Sequence, residues 1–484
     1  MRLRKEWLLG SVVALVLLSS VAFAATAVYV DDSWAGSSVG ATVGNGYTFG
    51  TNAFATVQAG IDAVEAGGTV NVAAGNYPED LRVAKSVTLR GPNAGINPVT
   101  NGAARGLEAQ LESVNVPNDA DINGLTIDGL KFSGSSPNGT IWLSYYGSNV
   151  TITNNIIDGI TYHGIVHNPE YPSGVSHNYM TGVQITNNKI TNISGGTYTA
   201  LYFFGLTDGV ISGNAISNVG GIGINLVNAN EGDSSKLVTV TVSGNTVTNC
   251  GLQGIQMAFG AGNVTISGNT VSGANYTSAS DKGGIRLYGS QFWGPVTVSG
   301  NTVTNSYNGL CIRDGENLSA TAQYIAIKDN TFTSNANAAI YHGGTGTLDA
   351  KTGNNFNGAA TLAGIEAQVY HYYDNSALGL VDYGQPTTLA AVYVDDDWAT
   401  CTRGQIVGGH IFGHDAFATV QAGIDAVDAG GTVNVAAGTY NENVSYAKSV
   451  NVLGPNAGIS PVDPTKTRVD EAVLNSITQT ANAS

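Results

Sequence analysis

Cysteine is scarce in this 484-residue chain, which contains only Cys250, Cys311 and Cys401. Three cysteines exclude complete pairing within one chain, so the fold does not depend on a disulfide framework. Charge is scarce as well: 11% of the residues are charged, 35 of them acidic and 19 basic. The resulting net charge of −16 argues against a general affinity for nucleic acid or anionic membranes.

Long apolar runs are missing except at the start of the chain. The first 24 residues combine a basic start, one apolar run and a small-residue cleavage site: Arg2, Arg4 and Lys5, then Leu8 to Leu18, then Ala22-Phe23-Ala24. This is the pattern of a secretory signal peptide, and we expect the mature chain to begin at Ala25. Its removal takes away three basic residues and one acidic residue, which makes the net charge two units more negative. The sequence therefore predicts a secreted or cell-surface protein with no membrane span after signal removal.

Glycine and asparagine, by contrast, are abundant and regularly placed. The chain has 64 glycines, and one asparagine recurs after a short alternating strand, as Asn155, Asn188, Asn214, Asn245, Asn269, Asn301 and Asn330. In five of the seven copies, a small residue followed by an aliphatic one comes 9 or 10 residues later. One corner is thus constant while the others carry insertions, which predicts a parallel β-solenoid in which stacked asparagines form an amide ladder. Asn also tolerates the left-handed backbone that a sharp corner needs.

The second large feature is a duplication. Ala27 to Val99 returns as Ala391 to Val462, with an offset of 363 residues from Phe54 to Phe417 and from Glu108 to Glu471. The predicted organisation is a signal peptide at 1–24, an N-terminal cap with the first coils at 25–118, and the β-helix body with a C-terminal cap at 119–384. A linker at 385–390 and an incomplete second unit at 391–484 follow. We expect either a fragment of a longer tandem array or a complete second cap domain with its own role.

Short helices are predicted at the ends of the solenoid. Phe54, Val57, Ile61 and Val64 have helical spacing before Gly67-Gly68, and the same pattern follows Phe417. Such a helix would cover the first coil. Leu362, Ile365 and Val369 have similar spacing and would close the far end.

These motifs together resemble a known family. They are Phe54-Ala55-Thr56-Val57-Gln58, Gly67-Gly68-Thr69-Val70, Ala74-Gly75-Asn76-Tyr77, Lys85-Ser86-Val87-Thr88-Leu89 and the Ser-Gly-Asn coils. The chain resembles right-handed parallel β-helix repeat proteins of the pectin-lyase-like superfamily. The resemblance implies an all-β, right-handed parallel β-helix with short helical caps. It leaves activity open, since members include polysaccharide lyases, hydrolases, epimerases, adhesins and surface proteins.

A binding face is predicted on the strands after the constant corner. Alternation places one residue per coil outward, and this row reads Val166, Tyr202, Asn225, Gln256, Arg286, Cys311 and Tyr341, with Phe204, Tyr288 and Arg313 two residues further on. Aromatic rings stack on sugar faces, and Arg can hold a uronate carboxylate in two bonds. Trp293, in a nearby insertion, is a further candidate for sugar stacking. The alternative is an ordinary solvated sheet face.

Catalytic candidates are fewer. A lyase or epimerase would use Arg286 or Arg313 with Asp314, or the insertion around Tyr162 and His163, since Tyr and His can act as acid and base on a uronate. The Asp pairs that the resemblance implies for a hydrolase are missing from these strands. His167 and His342 are expected inward, in the core or at a corner. Calcium is the one cofactor considered, at Asp31-Asp32 and its copy Asp395-Asp396-Asp397, although a solvated strand end followed by a buried Trp is the more frequent explanation for such acids.

The leading prediction is therefore a secreted, non-catalytic protein that binds an extracellular polysaccharide or builds a surface or matrix layer. Tandem units add binding sites or length, which favours this role, and head-to-tail self-association is an accompanying expectation. The alternative is a polysaccharide lyase or epimerase acting on a uronate-containing polymer.

Overall fold

The structure is a computed structural model, and it describes residues 25–134, 136–143, 147–167, 180–227, 239–258, 263–274, 282–288, 295–314, 325–386 and 388–480. Within these ranges the chain winds as a right-handed parallel β-helix whose coils contribute strands to three sheets. Alternate residues of each strand point inward, and the inward aliphatic side chains form one continuous core along the solenoid. The predicted fold is confirmed.

The first sheet has fourteen strands, which precede the asparagine corner in the regular coils. In spatial order they are Ala53–Phe54, Ala25–Val30, Val64–Val72, Thr88–Arg90, Thr126–Asp128, Thr151–Thr153, Gln184–Thr186, Gly209–Ser212, Val240–Ser243, Val264–Ser267, Val296–Ser299, Ile325–Lys328, Thr347–Asp349 and Leu380–Asp382.

The second sheet follows the corner. Its strands are Gly75–Arg82, Ala109–Asn115, Lys131–Phe132, Ile156–Asp158, Lys189–Ile193, Ala215–Val219, Thr246–Cys250, Thr270–Ala274, Thr302–Thr304, Thr331–Thr333 and Asn355–Phe356. The first two are long enough to run on into the third sheet.

The third sheet carries the predicted binding face. Its remaining strands are Ile141–Trp142, Ile165–His167, Leu201–Phe204, Ile224–Val227, Ile255–Ala258, Gly283–Tyr288, Asn308–Ile312, Ala338–His342 and Val369–Tyr370. A short pair, Met180–Thr181 with Leu206–Thr207, lies outside the three sheets.

The predicted asparagine ladder is present, and Asn354 extends it by one rung. Asn188 shows the pattern: its Oδ1 accepts hydrogen bonds from the backbone N–H of Asn155 (3.0 Å) and from Asn155 Nδ2 (3.1 Å). Its own Nδ2 donates to Ile152 O (2.8 Å) and to Asn214 Oδ1 (3.1 Å). The ladder therefore ties each coil to both neighbours with buried side-chain bonds.

One expectation about this corner was wrong. The ladder asparagines do not take the left-handed conformation; the residue before each of them does, with φ from 56° at Asn154 to 65° at Gly353. The ladder residue must direct its amide inward, so the sharp turn falls on its outward neighbour. Glycine, Asn or Asp occupies that neighbouring position in every coil, as the left-handed region requires.

Helix α1 (Val57–Ala63) packs on the first coil, with Val57 and Ile61 buried in the main core. It is shorter than its spacing suggested, because Val64 already begins the next strand. Helix α2 (Leu362–Glu366) lies near the far end, and Val369 belongs to a strand rather than to this helix. Short 3-10 turns occupy Asp32–Trp34, Gly102–Ala104 and Asp396–Thr400.

The second copy repeats the first locally. It contains helix α3 (Val420–Ala426) and the strands Ala391–Val394, Ile406–Val407, His410–Ile411, Ala416–Phe417, Thr432–Val435, Gly438–Tyr446, Asn451–Leu453 and Ala472–Gln479. Its buried residues form a core cluster of their own, separate from the main core. The hairpin Ile406–Val407 with His410–Ile411 corresponds to Thr42–Val43 with Tyr47–Thr48 in the first copy.

The second copy contacts the far end of the solenoid. The rings of Tyr373 and His414 lie 4.4 Å apart, and the Arg403 guanidinium lies 4.9 Å from the centre of the Tyr372 ring. Gln385 is buried and donates from Nε2 to Val381 O (2.9 Å). Among the residues described, no helix is long and apolar enough to cross a membrane.

Candidate functional site

The structure aligns the predicted outward row in the third sheet. Strand registers pair Val166 with Tyr202, and then successively Asn225, Gln256, Arg286, Cys311 and Tyr341. The row also continues at both ends, to Trp142 before Val166 and to Tyr370 after Tyr341. We call these nine residues the outward row. At one strand spacing per coil it is about 40 Å long.

Sequence reasoning missed Trp142 and Tyr370. The signal was available, because each follows an inward aliphatic residue in the same pattern as the other strands, as Ile141-Trp142 and Val369-Tyr370. Both side chains are half-buried.

Full exposure of this row was expected, and that expectation needs correction. Val166, Gln256, Cys311 and Tyr341 are buried. Neighbouring side chains in the row cover one another: Cys311 and Tyr341 pack in a small cluster that Tyr370 joins. Tyr341 and Tyr370 stack with their ring centres 5.0 Å apart and nearly parallel planes. The accessible side chains of the row are therefore those of Trp142, Tyr202, Asn225, Arg286 and Tyr370, all of them half-buried.

Amide and guanidinium groups form a chain in the middle of the row. Arg286 Nη1 donates to Gln256 Oε1 (3.1 Å), and Gln256 Nε2 donates to Asn225 Oδ1 (2.9 Å). The two hydrogen bonds of Gln256 fix the orientation of its amide. Because Asn225 accepts with Oδ1 on the side of Gln256, its Nδ2 faces the opposite side as a donor. The arrangement presents hydrogen-bond donors in a line parallel to the solenoid axis.

The side chains of Arg286 and Arg313 both lie against the Tyr288 ring, beside the Arg286–Gln256–Asn225 hydrogen bonds. The Arg286 guanidinium carbon lies 4.8 Å from the centre of the Tyr288 ring, and that of Arg313 lies 5.3 Å from it. Arg286 and Tyr288 are half-buried, whereas Arg313 is exposed. Two positive charges held over one aromatic ring form a site suited to a carboxylate.

Asp314 is close in sequence to Arg313 but is engaged by Tyr341. The Tyr341 hydroxyl donates to Asp314 Oδ1 at 2.7 Å. Gly343 lies against the same carboxylate, since a side-chain carbon at Gly343 would approach Asp314 Oδ1 to 2.2 Å. The glycine therefore keeps the space that this contact needs.

Tyr162 and His163 form an aromatic group next to Tyr202. The His163 ring stacks on Tyr202 at 5.7 Å and meets the edge of Tyr198 at 4.9 Å, and Tyr162 contacts Tyr198 as well. His163 Nδ1 accepts the backbone N–H of Thr199 (2.9 Å), so the neutral ring carries its proton on Nε2. Burial lowers the pKa of His163, and burial raises the pKa of Tyr202. Both groups therefore serve as hydrogen-bond donors at neutral pH.

The remaining candidates are separate from this face or not described. Trp293 lies outside the described residues. His167 and His342 are buried, as expected. None of the three cysteines forms a disulfide, and Cys250 and Cys311 are buried.

Acids among those considered for calcium already accept hydrogen bonds from backbone N–H groups. Asp31 Oδ1 accepts from Ser33 N, and Asp32 Oδ2 accepts from Asn76 N, both at 2.9 Å. In the copy, Asp396 Oδ2 accepts from Thr439 N in the same way. These contacts make Asp31, Asp32 and Asp396 structural caps. In the copy, Asp395, Asp396 and Asp397 also bring carboxylate oxygens within 4.8 Å of one another, which is close enough for one cation.

A buried polar cluster lies at the far end, where sequence gave no signal. Glu366 accepts from the Tyr383 hydroxyl (2.6 Å) and pairs with His371 Nε2 (3.0 Å). Asp374 is close enough to complete a set of metal-ligand atoms. His371 Nδ1, however, accepts the N–H of Val381 (2.9 Å), so Nε2 carries the proton and has no lone pair for a metal. The cluster is a buried hydrogen-bond network.

One comparison with protein families bears on the fold. A family model described as "Right handed beta helix region" matches residues 123–292. The match agrees with the right-handed parallel β-helix fold that the strand order shows. No curated protein matches the chain.

Several solved structures are similar to this chain at low identity. The alginate lyase from Paenibacillus sp. str. FPU-7 is 14% identical, with a TM-score of 0.35, over 65% of this chain and 94% of that one. The complex of XylC with xylose is 12% identical, with a TM-score of 0.40, over 90% and 86%. The A-module of the mannuronan C-5 epimerase AlgE6 from Azotobacter vinelandii is 15% identical, with a TM-score of 0.25, over 68% and 93%.

Proposed function

We propose that this protein is a secreted, non-catalytic binder of a uronate-containing polysaccharide, with a surface or matrix role. The observation that carries the proposal is the pair of arginines, Arg286 and Arg313, held over Tyr288 beside the donor chain of Gln256 and Asn225. A uronate offers one carboxylate and several hydroxyls, and this arrangement supplies a cationic group, an aromatic face and amides within neighbouring coils.

The length of the outward row supports a polymeric ligand. Half-buried aromatic side chains recur along it at Trp142, Tyr202 and Tyr370, so sugar contacts would extend on both sides of the arginine pair, with the buried Tyr341 supporting Tyr370 from below. Because the overall charge is strongly negative, attraction of an acidic polymer must come from this local cluster. We therefore expect binding to weaken as the salt concentration rises.

A second candidate is a polysaccharide lyase or epimerase. The contact between His163 and Tyr202 favours it, since it brings two titratable groups to the edge of the same face. In the described residues both act as donors rather than as bases, and Asp314 is held by Tyr341. Proton abstraction beside the carboxylate needs a base, so the geometry supports binding better than catalysis.

Two assays on the full mature chain separate the candidates. The first measures binding to soluble acidic and neutral polysaccharides, with and without calcium. The second follows product size and, for epimerisation, the NMR spectrum of the same polymers. We expect binding of an acidic polymer without chain shortening or epimerisation, and about tenfold weaker binding for Arg286→Ala.

Arg468→Ala is the matched control, because Arg468 pairs with Glu471 in the second copy, away from the face. Turnover in the parent that Arg286→Ala abolishes would establish the lyase or epimerase instead. Equal affinity of the parent and Arg286→Ala for every polymer would refute the proposed face.

A further inference from the structure

A pocket of about 460 Å³ lies on the first sheet of the N-terminal cap, on a different sheet from the outward row. Tyr29, Trp34, Tyr47 and Arg90 are among its lining residues. We call it the cap pocket. Neither the predicted polysaccharide face nor its mechanism makes use of it.

Strand register builds one side of the cap pocket. Tyr29, Asn71 and Arg90 are paired side by side on three neighbouring strands, so their side chains project from the same surface of the sheet. Two strand spacings separate Tyr29 from Arg90, which is roughly 10 Å. This width accommodates one sugar ring.

The hairpin Thr42–Val43 with Tyr47–Thr48 builds the other side. It places Tyr47 against Tyr29, with ring centres 3.9 Å apart and planes inclined by 17°, and Trp34 lies 6.3 Å from Tyr47. The hairpin turn fits closely over Trp34: a side-chain carbon at Gly44 would lie 2.7 Å from the indole, and Gly44 has φ of +51°. Glycine is therefore required for the turn to reach the aromatic group.

Polar groups complete the cap pocket. Arg90 is exposed, and in the part of the chain that the structure describes it makes no ion pair. Its neighbour Asp128 instead accepts from Gly95 N (3.0 Å) and Asn154 Nδ2 (2.8 Å). The Asn71 side chain donates from Nδ2 to Val28 O (3.3 Å), and Asn71 Oδ1 takes no part in this hydrogen bond.

We propose that the cap pocket binds a single acidic sugar residue. An aromatic group would contact the apolar face of the ring, Arg90 would bind the carboxylate, and the Asn71 and Asn45 side chains would bind hydroxyls. Such a site would take a chain end or side branch while the outward row holds the length of a polymer.

Comparison with the second copy distinguishes the residues that build the hairpin from those proposed to bind a ligand. The aromatic contact is retained there: Tyr393 stacks on His410 at 3.7 Å, and Trp398 follows Tyr393 at the same spacing. The hairpin turn is one residue shorter, with Gly408-Gly409 in place of Gly44-Asn45-Gly46, so Asn45 has no counterpart.

The binding groups are also changed in the copy. Leu453 stands at the register position of Arg90, and His410 replaces Tyr47. His410 Nδ1 lies 2.9 Å from Asp415 Oδ2 and is thus engaged within the protein. The copy therefore forms the hairpin and its aromatic contact without a counterpart of Arg90 or Asn45. In the first copy the Asn45 side chain hydrogen-bonds Tyr47 at the edge of the pocket, and the exposed Arg90 makes no ion pair among the described residues.

The test is calorimetric titration of the full mature chain with sodium galacturonate and, separately, with galactose. We expect saturable binding of galacturonate at one site and at least tenfold weaker binding in Arg90→Leu, the residue that the second copy uses. Tyr47→His should weaken both sugars, because it removes ring area. Arg468→Ala, at an arginine that pairs with Glu471 away from both the cap pocket and the outward row, should leave galacturonate binding unchanged.

Two results would overturn the proposal: no saturable heat with galacturonate in the parent, or equal affinity in Arg90→Leu. The thermal unfolding midpoint of Arg90→Leu should match the parent, since Arg90 is exposed. The inference does not depend on the polysaccharide face, because Arg286→Ala reports on that face and Arg90→Leu on the cap pocket.

Discussion

At the scale of single residues, the buried amides of the ladder join successive coils by hydrogen bonds. Asn245 is 1% exposed. Its Oδ1 accepts from Asn214 N and Asn214 Nδ2, and its Nδ2 donates to Ile211 O and Asn269 Oδ1, all between 2.9 and 3.0 Å. Removing the amide leaves donors and acceptors of three coils without partners inside the protein, where each costs free energy.

Asn245→Ala should therefore lower the free energy of unfolding by about 2–4 kcal/mol, measured by denaturant titration. Asn249→Gly is the control: Asn249 is at a second corner with φ of 53° and donates to Asn218 at the surface. Glycine takes that conformation readily, so the change should be below about 1 kcal/mol. Similar losses in the two variants would contradict the importance of the ladder.

A buried histidine gives the fold a dependence on pH. His342 Nε2 lies 3.1 Å from Gly346 O and donates to it, while Nδ1 is buried without a hydrogen-bond partner among the described residues. Burial lowers the pKa of His342 to about 4 from its ordinary value of 6.5. As the pH falls from 6.5 to about 4, His342 becomes protonated in the unfolded chain but stays neutral in the folded chain. Protonation therefore stabilises the unfolded state, and the free energy of unfolding decreases over this range.

In His342→Gln the decrease in unfolding free energy between pH 7 and pH 4 should be smaller than in the parent by roughly 3 kcal/mol, because Gln keeps a donor for Gly346 and does not titrate. Unfolding free energies of the two proteins, measured at pH 7 and pH 4, give the comparison. Burial raises the pKa of Asp374 to about 6, which acts with the opposite sign, but this group is present in both proteins and cancels. Parallel pH profiles for parent and variant would exclude His342 as the source.

At the scale of elements, both cap helices are held by a glutamate from a neighbouring strand. The Glu79 carboxylate accepts the N–H groups of Val57 (2.7 Å) and Gln58 (2.9 Å) at the start of α1. Glu442 does the same for Val420 and Gln421 in α3. A carboxylate there satisfies two free N–H groups and complements the partial positive charge of a helix start.

Glu79→Gln should cost about 1–2 kcal/mol, since only one oxygen and no charge remain. Glu442→Gln should cost a similar amount, but only for the second copy, which has its own core. Hydrogen exchange followed by mass spectrometry distinguishes the two, because each variant should increase exchange around its own helix. An effect of Glu442→Gln on α1 would show that the copies unfold together.

Sequence predicts these elements to different degrees. The outward row could be read from Ile224, Ile255 and Ile285, because alternation and the constant corner fix the register. Asn354 was missed because the residues before it, Lys351-Thr352-Gly353, do not continue an alternating strand. The burial of Gln256 and the contact of Tyr47 with Tyr29 depend on which side chains meet across the surface, and periodicity carries no information about that.

At the scale of the whole molecule, the junction between the copies decides how they move together. Arg403 lies over Tyr372, and a side-chain carbon at Gly404 would approach Asp374 Oδ1 to 2.5 Å. In the first copy the position equivalent to Arg403 is Val39, which is 82% exposed. Arg403 thus contacts the end of the solenoid, whereas Val39 is exposed in the structure described.

Arg403→Ala should loosen the second copy without unfolding it, because it removes a cation–aromatic contact of about 1 kcal/mol and no core residue. Limited proteolysis should cut near residues 385–390 faster than in the parent, while circular dichroism stays the same. Leu453→Ala, in the second copy but outside the junction contacts, is the control. Unchanged cleavage in Arg403→Ala would show that other contacts hold the junction.

The asparagine ladder also gives the solenoid an electrical direction. In every rung from Asn155 to Asn354 the amide oxygen faces the preceding coil, and in every rung from Asn155 to Asn330 an amide N–H faces the following one. Aligned dipoles add, as they do along an α-helix, so the two ends of the stack carry opposite partial charges. A solenoid that grows by adding coils in the same sense gains this attraction at each rung, whereas two stacks meeting head to head repel each other.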